Sequence, residues 1–255
     1  MIEKPLSQHN TEISRNAQAW KQKPLLGIIY QNFYHKIAAA LGTNDGSGVL
    51  EIGSGIGAIK TVMPECITSD IFENPWLDRV ESAYNLNFPD NNLNGLVLFD
   101  VWHHLEYPGS AMKEFARVLK PGGRVVLLEP AMGLAGKFIY GLFHHEPLGL
   151  SHEIKWEPNN DEKPSLKYYA AQGNCWRMFY KKTDPIDAYP LFEHSQTQLM
   201  SALSYTASGG FSKRQLYPDT LYPTILKIEK LLDRAPSLFA TRMLVVLTKK
   251  GIIRS

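Results

Sequence analysis

The fold is decided by one stretch, which reads Val49-Leu50-Glu51-Ile52-Gly53-Ser54-Gly55-Ile56-Gly57. A short apolar run that leads into glycines two residues apart predicts a buried parallel strand, which turns at once into a loop and the start of a helix. Because glycine has no Cβ, such a loop lets a ligand approach the backbone and its free N–H groups. The pattern indicates a cofactor-binding loop.

The glycines alone do not identify the cofactor. Gly53-x-Gly55-x-x-Ala58 also satisfies the looser dinucleotide-binding pattern, and a tight turn without a ligand would use the same residues. Glu51 places a carboxylate at the end of the strand, where it accepts hydrogen bonds from a cationic amine or from the loop. Further along, Lys120-Pro121-Gly122-Gly123 predicts a helix end, and the apolar run Val125 to Leu128 predicts the next strand.

At these residues, from about Val49 to Pro130, the chain resembles the class I (Rossmann-like) S-adenosylmethionine-dependent methyltransferases, especially the type 11 domain. The resemblance implies a doubly wound α/β fold with a mostly parallel seven-stranded sheet and an antiparallel last strand. It also implies S-adenosyl-L-methionine as cofactor and S-adenosyl-L-homocysteine as product. We predict four segments: an N-terminal arm and covering helix (1–42), the cofactor-binding core (43–130), an inserted lid for substrate recognition (131–196) and a C-terminal completion of the sheet (197–255).

The composition is that of an ordinary globular protein. The 255 residues are 44% hydrophobic and 20% charged, with a formal net charge of +2, and no dense Lys/Arg block predicts a nucleic-acid surface. The first twenty residues lack the apolar core of a signal peptide, and no run is long enough to span a bilayer. We therefore expect a cytoplasmic protein. Cys66 and Cys175 are expected to be reduced, and two cysteines cannot hold the iron–sulfur cluster of radical enzymes.

The residues before the first strand divide into two parts. Met1 to Lys23 is predicted to be a polar arm, with Trp20 as its one large apolar residue. Apolar residues then recur at helical spacing from Leu26 to Leu41, and Gly42 predicts the end of that helix. The stripe is typical of a helix that packs on a sheet. In the family that the chain resembles, this region often covers the cofactor, so Trp20, Tyr30 and Tyr34 are candidates for that role.

The second strand, predicted at Cys66 to Ser69, is followed by an acid with a candidate role. Asp70 comes seventeen residues after Gly53, near the spacing at which a carboxylate accepts hydrogen bonds from a ribose. A helix cap or a turn is the alternative for this aspartate. Ile71 follows it and joins the predicted site.

The segment Glu81 to Asp90 resembles the one in which the family usually places an acid to receive the adenine amine, but Ser82 stands there. Adenine is then read by the Ser82 hydroxyl and the backbone near Ala83, or by a shifted Glu81. Asp100, at the end of the fourth strand, is expected near the sulfonium. The predicted cofactor-binding residues are Glu51, Gly53, Ser54, Gly55, Gly57, Asp70, Ile71, Ser82, Ala83 and Asp100.

Two pairs of histidines are the candidate catalytic residues. His103 and His104 follow the fourth strand, and an imidazole accepts a hydroxyl proton near neutral pH. His144 and His145 fall in the predicted lid, which would bring them to the same end of the sheet. The alternatives are a packed or helix-capping histidine for the first pair and a solvated loop for the second. Asp100, His103 and His104 have the spacing of metal ligands, but a helix start explains the same residues, and we expect no metal.

In the C-terminal part, we predict a strand at Gln198 to Thr206, a helix at Leu221 to Leu232 and the antiparallel strand at Thr241 to Lys249.

The expected reaction is in-line methyl transfer to a hydroxyl of a small molecule or a sugar. The chain has neither a basic surface nor the Asp/Asn-Pro-Pro-Tyr signature of amino-directed nucleic-acid methyltransferases, since residues 100–103 read Asp-Val-Trp-His. Two alternatives remain open: a catalytically silent, methyltransferase-like binding subunit and an NAD(P)-linked oxidoreductase.

Overall fold

The computed structural model describes residues 6–159, 168–183 and 189–251, and these form a seven-stranded sheet with helices on both faces. The strands are β1 Val49–Ile52, β2 Ile67–Asp70, β3 Arg79–Val80, β4 Leu93–Phe99, β5 Leu119–Pro130, β6 Phe192–Met200 and β7 Arg242–Lys249. The α-helices are α1 Leu6–Gln22, α2 Pro24–Leu41, α3 Pro108–Val118, α4 Leu134–Phe143, α5 Leu203–Ser208, α6 Tyr222–Leu232 and α7 Pro236–Phe239.

The sheet order is β3-β2-β1-β4-β5-β7-β6. Neighbouring strands from β3 to β5 are parallel, whereas β7 runs antiparallel to both β5 and β6. This confirms the predicted fold class, including the antiparallel last strand. Because β1 lies between β2 and β4, the carboxyl end of β1 is the switch point at which open α/β sheets bind ligands.

Two apolar layers hold the helices against the sheet. Val49, Val97 and Val126 pack with α2 on one face, whereas Leu50 and Leu96 pack with α3 on the other. All five side chains are at most 1% exposed. Burying a side chain of this size stabilises the fold by about 1.5–3 kcal/mol, so both faces of the central strands contribute to stability.

The N-terminal region departs from the predicted polar arm. Residues from Leu6 to Gln22 form α1, although only the side chains from Thr11 onward are described. Trp20 anchors this helix through an edge-to-face contact with Tyr30, with ring centroids 5.7 Å apart. Sequence analysis did not predict that the arm is helical, because a mostly polar helix with few anchoring residues has little apolar periodicity. The α2 prediction is confirmed, and Gly42 ends the helix in the left-handed conformation at φ 76°.

The connections between β1 and β4 are short. The helix expected after the glycine loop is a single 3₁₀ turn, Ala58–Thr61, which precedes Pro64. Residues 71–92, all of which are described, contain no helix. The carboxyl ends of β1 and β2 are therefore each followed by a loop, and both loops lie beside the candidate cofactor site.

The C-terminal part corrects one strand and confirms one helix. The predicted strand Gln198 to Thr206 was wrong, because β6 ends at Met200 and Ala202 takes a left-handed conformation at φ 43° before α5. The predicted end of the lid, at residue 196, consequently falls inside β6. The predicted helix at Leu221 to Leu232 is confirmed as α6.

The stretch between β5 and β6 contains α4 and a π-helical turn, Trp176–Lys181, whose Trp176 and Phe179 are buried. Cys66 and Cys175 are both buried free thiols. Among the described residues, no helix combines the length and the apolar character that crossing a membrane requires.

Candidate active site

The glycine loop follows β1 and needs its glycines. Gly53, Gly55 and Gly57 have φ values of 72°, 54° and 66°, which L side chains rarely adopt. A Cβ at Gly57 would lie 2.8 Å from the carbonyl oxygen of Trp76, and a Cβ at Gly53 would lie 2.4 Å from Cγ2 of Val101. The loop is therefore packed tightly on one side, while its other side faces α1.

Asp70 lies against this loop. Its Oδ2 accepts a hydrogen bond from the Gly55 N–H at 3.2 Å, and its Oδ1 accepts one from the Ile71 N–H at 2.7 Å. The carboxylate thus joins the ends of β1 and β2, where the sequence predicts a ribose-binding acid.

Glu51 is a buried acid beneath the loop, only 1% exposed. Burial raises its pKa to about 7, although hydrogen bonds with Ser54 and Tyr34 oppose the shift. Its Oε2 atom has no hydrogen-bond partner among the described residues. A buried carboxylate oxygen without a donor indicates a place for a cationic ligand group.

The first two helices close this side of the site. In α1, the Cδ1 atom of Ile13 lies 3.7 Å from where a Cβ of Gly55 would be. In α2, Tyr34 reaches Glu51, and Tyr30 stacks on Phe99 with ring centroids 5.0 Å apart. Of the candidate covering residues, Trp20 and Tyr30 fill the core next to the site and Tyr34 contacts a predicted site residue.

The predicted adenine segment is a turn after β3. Ser82 Oγ accepts a hydrogen bond from the Tyr84 N–H at 3.3 Å, and Ala83 is buried. Both carboxylate oxygens of Glu81 are engaged, one by Arg79 Nε at 2.9 Å and the other by the Asn87 N–H at 2.8 Å. Arg79 and Asn87 thus hold Glu81 in place, and a role in binding adenine stays a prediction for Ser82, Ala83 and a shifted Glu81 alike.

Asp100 takes a strained backbone conformation, with φ 58°, directly after β4. Its carboxylate forms a two-point ion pair with Arg242, which is 1% exposed and lies over the Tyr205 ring at 4.4 Å. Sequence analysis missed Arg242, because nothing marks an arginine at the start of an apolar strand as part of a site. The pair connects β4 to β7 at the ligand-binding end of the sheet.

His103 lies between two glutamates. Its Nδ1 is 2.6 Å from Glu129 Oε2, and its Nε2 is 3.4 Å from Glu146 Oε2. The other oxygen of Glu129 accepts hydrogen bonds from the N–H groups of Val101 and Trp102, both at 2.8 Å. Glu129 thereby orients the whole turn that carries the two histidines.

His104 faces the same glutamate from the next position. Its Nδ1–H donates to the Tyr169 carbonyl at 2.9 Å, and its Nε2 is 3.7 Å from Glu146 Oε1. Glu146 also accepts hydrogen bonds from the Tyr168 hydroxyl and from Gln172 Nε2, the latter at 3.1 Å. We call His103, His104, Glu129 and Glu146 the histidine–glutamate cluster.

The charges in the histidine–glutamate cluster differ from those of free side chains. Burial disfavours a charged His103, but the neighbouring carboxylates outweigh it and raise its pKa to about 10. Burial and the His103 ring lower the pKa of His104 to about 4. Burial also opposes the ionisation of Glu146, yet the two imidazoles hold its pKa well below its usual range. Without a ligand, the cluster therefore pairs a charged with a neutral imidazole.

The second predicted histidine pair reaches the rim of the cluster. His144 Nδ1 lies 3.7 Å from Glu146 Oε2 and 2.6 Å from Gln172 Nε2. His145 is exposed and its Nε2 is 4.0 Å from Glu146 Oε1. The structure thus brings the four predicted histidines together around Glu146, which was not among the predicted site residues. Glu129 was also missed, since its role appears only when β4 and β5 are paired.

Comparison with known proteins finds a family match for part of the chain. Residues 50–127 match a protein family described as a methyltransferase domain. The matched segment runs from β1 into β5 and contains the glycine loop, Asp70 and the first histidine pair.

Solved structures show the same fold at low sequence identity. One is a chain from the complex between the Haloferax volcanii Trm112 methyltransferase activator and its candidate methyltransferase, at 15% identity, 96% coverage of this chain, 99% of that chain and TM-score 0.51. Another is the geranyl diphosphate C-methyltransferase of Streptomyces coelicolor, at 12% identity, 86% coverage of this chain, 75% of that chain and TM-score 0.51. At such identities, these likenesses establish the fold alone.

Proposed function

We propose that this chain, which is a class I S-adenosylmethionine-dependent methyltransferase, transfers the methyl group to a hydroxyl of a small molecule or a sugar. The histidine–glutamate cluster carries this proposal, because a hydroxyl must lose its proton as it is methylated. The cluster offers an imidazole nitrogen, Nε2 of His104, beside a carboxylate at the ligand end of the sheet.

The cofactor side fits S-adenosylmethionine. When bound, this cofactor supplies an electrophilic methyl group on a sulfonium. Asp70 is positioned to accept hydrogen bonds from ribose hydroxyls, and the glycine loop leaves room for the backbone to approach a ligand. The unpartnered Oε2 atom of Glu51 fits the cationic amine of the methionine part.

The acceptor side supports a hydroxyl rather than a group that is already nucleophilic. Three features favour uptake of a hydroxyl proton by Nε2 of His104: the neutral ring, its Nδ1–H bound to the Tyr169 carbonyl, and its partial exposure of 31%. Glu146 stabilises positive charge that develops on the ring. Glu129 holds the turn in place from the opposite side.

The strand order favours methyl transfer over hydride transfer. Dinucleotide-dependent oxidoreductases with doubly wound sheets have the order 3-2-1-4-5-6, whereas here the antiparallel β7 is inserted between β5 and β6. Arg242, at the start of that inserted strand, completes the site by pairing with Asp100.

The test is transfer of a tritiated methyl group from S-adenosylmethionine to a panel of phenols, sugars, amines and thiols. We expect label on hydroxyl oxygen, with turnover at least 100-fold lower in His104→Gln and unchanged in His35→Gln, an exposed histidine of α2. Label on nitrogen or carbon, at a rate that His104→Gln leaves unchanged, would contradict the proposal. Cofactor binding without transfer to any acceptor would support the silent binding subunit instead.

A further inference from the structure

We propose that His103, His104 and Glu146 form a binding site for one divalent transition-metal ion of the zinc type. The candidate ligand atoms are one nitrogen of each histidine and one carboxylate oxygen, and all lie within 4.8 Å of one another. Two imidazoles and one carboxylate are a donor set that binds zinc and its neighbours in the first transition row. The sequence suggested Asp100 as the third ligand beside the two histidines, whereas in the structure Glu146 lies in that position.

The distances fit a shared ion better than direct hydrogen bonds. The Nε2 atoms of His103 and His104 lie 3.4 Å and 3.7 Å from oxygens of Glu146. Charge-assisted N–H···O bonds are about 2.7–2.9 Å long. In a tetrahedral site with metal–ligand bonds of about 2.0–2.1 Å, two ligands are about 3.4 Å apart.

The surrounding contacts orient all three ligands toward one point. The Nδ1–H groups of the two histidines face acceptors on the far side of each ring, Glu129 at 2.6 Å and the Tyr169 carbonyl at 2.9 Å. This leaves both Nε2 atoms directed at Glu146, the arrangement in which histidines usually bind metals. Glu146 is in turn held by the Tyr168 hydroxyl and the Gln172 amide.

A second group of potential metal ligands lies nearby, but one of its members is already in an ion pair. Asp100, His103 and Glu129 also lie within reach of one another. However, both carboxylate oxygens of Asp100 are bound by the guanidinium of Arg242, whose positive charge also disfavours a cation there. These side chains therefore support the site and do not form a second one.

Three protein ligands leave a position for the acceptor oxygen, as in catalytic zinc sites. A metal lowers the pKa of a hydroxyl bound to it. When the ion is bound, Nε2 of His104 is a metal ligand and does not take the proton itself, so the ion replaces that nitrogen in activating the hydroxyl, and the released proton passes to bulk water. This role of the ion rests on the proposed function, but its binding does not.

The test uses the full chain without a purification tag, freed of metal by a chelator that is then removed. Isothermal titration with Zn²⁺ is expected to show one equivalent bound with a micromolar or lower Kd, and Co²⁺ is expected to give the visible absorption bands of a low-coordinate site. His104→Gln and Glu146→Gln should each weaken Zn²⁺ binding at least 100-fold, whereas His35→Gln should not change it. Circular dichroism and S-adenosylmethionine binding confirm that each variant is folded.

The metal site and the proposed function can fail separately. No stoichiometric Zn²⁺ binding by the wild type, or unchanged binding by folded His104→Gln and Glu146→Gln, would overturn the metal site. If the chelated protein still methylates a hydroxyl at the full rate, the catalytic role of the ion is refuted, whereas the proposed function stands and the binding site is decided by the Zn²⁺ titration. If Zn²⁺ binds as expected but only amines or carbon acceptors are methylated, the proposed function fails and the site stands.

Discussion

The two sides of the candidate active site are built in different ways. The proposed cofactor side is nearly continuous in sequence, from Glu51 to Ile71, and depends largely on backbone groups of the glycine loop. The proposed acceptor side depends on side chains from separate segments, which meet around Glu146. A site made of backbone needs small residues at fixed spacing, whereas a site made of side chains needs the complete fold. The two sides should therefore respond separately to substitution.

Glu146→Gln is expected to give the largest difference between the effect on turnover and the effect on cofactor affinity. Loss of the carboxylate between the two imidazoles should lower turnover by roughly 10²–10⁴-fold, while the Kd for S-adenosylmethionine stays within about twofold because the glycine loop is untouched. Steady-state turnover and isothermal titration measure the two effects. The matched control is Glu157→Gln, an exposed glutamate that pairs with Lys113 in the same insertion. Equal losses in turnover and cofactor affinity would show that the two sides are coupled.

Gly57→Ala should damage the cofactor side, in contrast to Gly122→Ala. Both glycines have positive φ, 66° and 79°, but only Gly57 faces a backbone oxygen, at 2.8 Å from a built Cβ. We expect Gly57→Ala to cost about 2–4 kcal/mol of the free energy of unfolding and to abolish cofactor binding, because strain and overlap add. Gly122→Ala should cost about 1 kcal/mol, from backbone strain alone. Denaturant unfolding measures the free energy of unfolding of both variants. Similar losses of stability in the two variants would refute the close packing of the loop.

Asp70→Ala should weaken S-adenosylmethionine binding roughly 10- to 100-fold, which is the effect of losing hydrogen bonds to a charged acceptor. Asp70→Asn should lose less, since it keeps one acceptor oxygen. Titration with S-adenosylhomocysteine should show the same loss, because the two ligands share the ribose. A cofactor affinity that is unchanged in Asp70→Ala would refute the ribose-binding role of Asp70.

The smallest effect is a pH dependence of cofactor affinity. Burial raises the pKa of Glu51 from about 4.5 to about 7, so the free protein holds this acid protonated at pH 6. Binding an ammonium group favours the ionised form and must then release the proton. Affinity for S-adenosylmethionine should fall about tenfold from pH 7.5 to pH 6 in the wild type and stay constant in Glu51→Gln. If the affinity of the wild type and that of Glu51→Gln depend on pH in the same way, the amine of S-adenosylmethionine does not bind at Glu51.

The contrast also explains what sequence analysis could predict. The glycine loop, α2 with its Gly42 end, the helix after β4 and the antiparallel β7 all follow from local patterns, and the structure confirms them. The pairing of Glu129 with His103 follows from the register of β4 and β5, which brings the ends of two strands together. The ion pair between Arg242 and Asp100 also depends on the complete fold, because the two residues are 142 positions apart in the chain. No local pattern predicts such contacts.

The ion pair between Asp100 and Arg242 has a consequence for the synthesis of the chain. Domains begin to fold from the N-terminus while translation proceeds, so the parallel part of the sheet, with its glycine loop, can assemble first. Asp100 then stays without its cation until the ribosome has released the strand that carries Arg242 and this strand has inserted between β5 and β6. A nascent chain is therefore expected to form its glycine loop well before its Asp100–Arg242 ion pair, and translation that stops before β7 would leave a chain with the first and without the second.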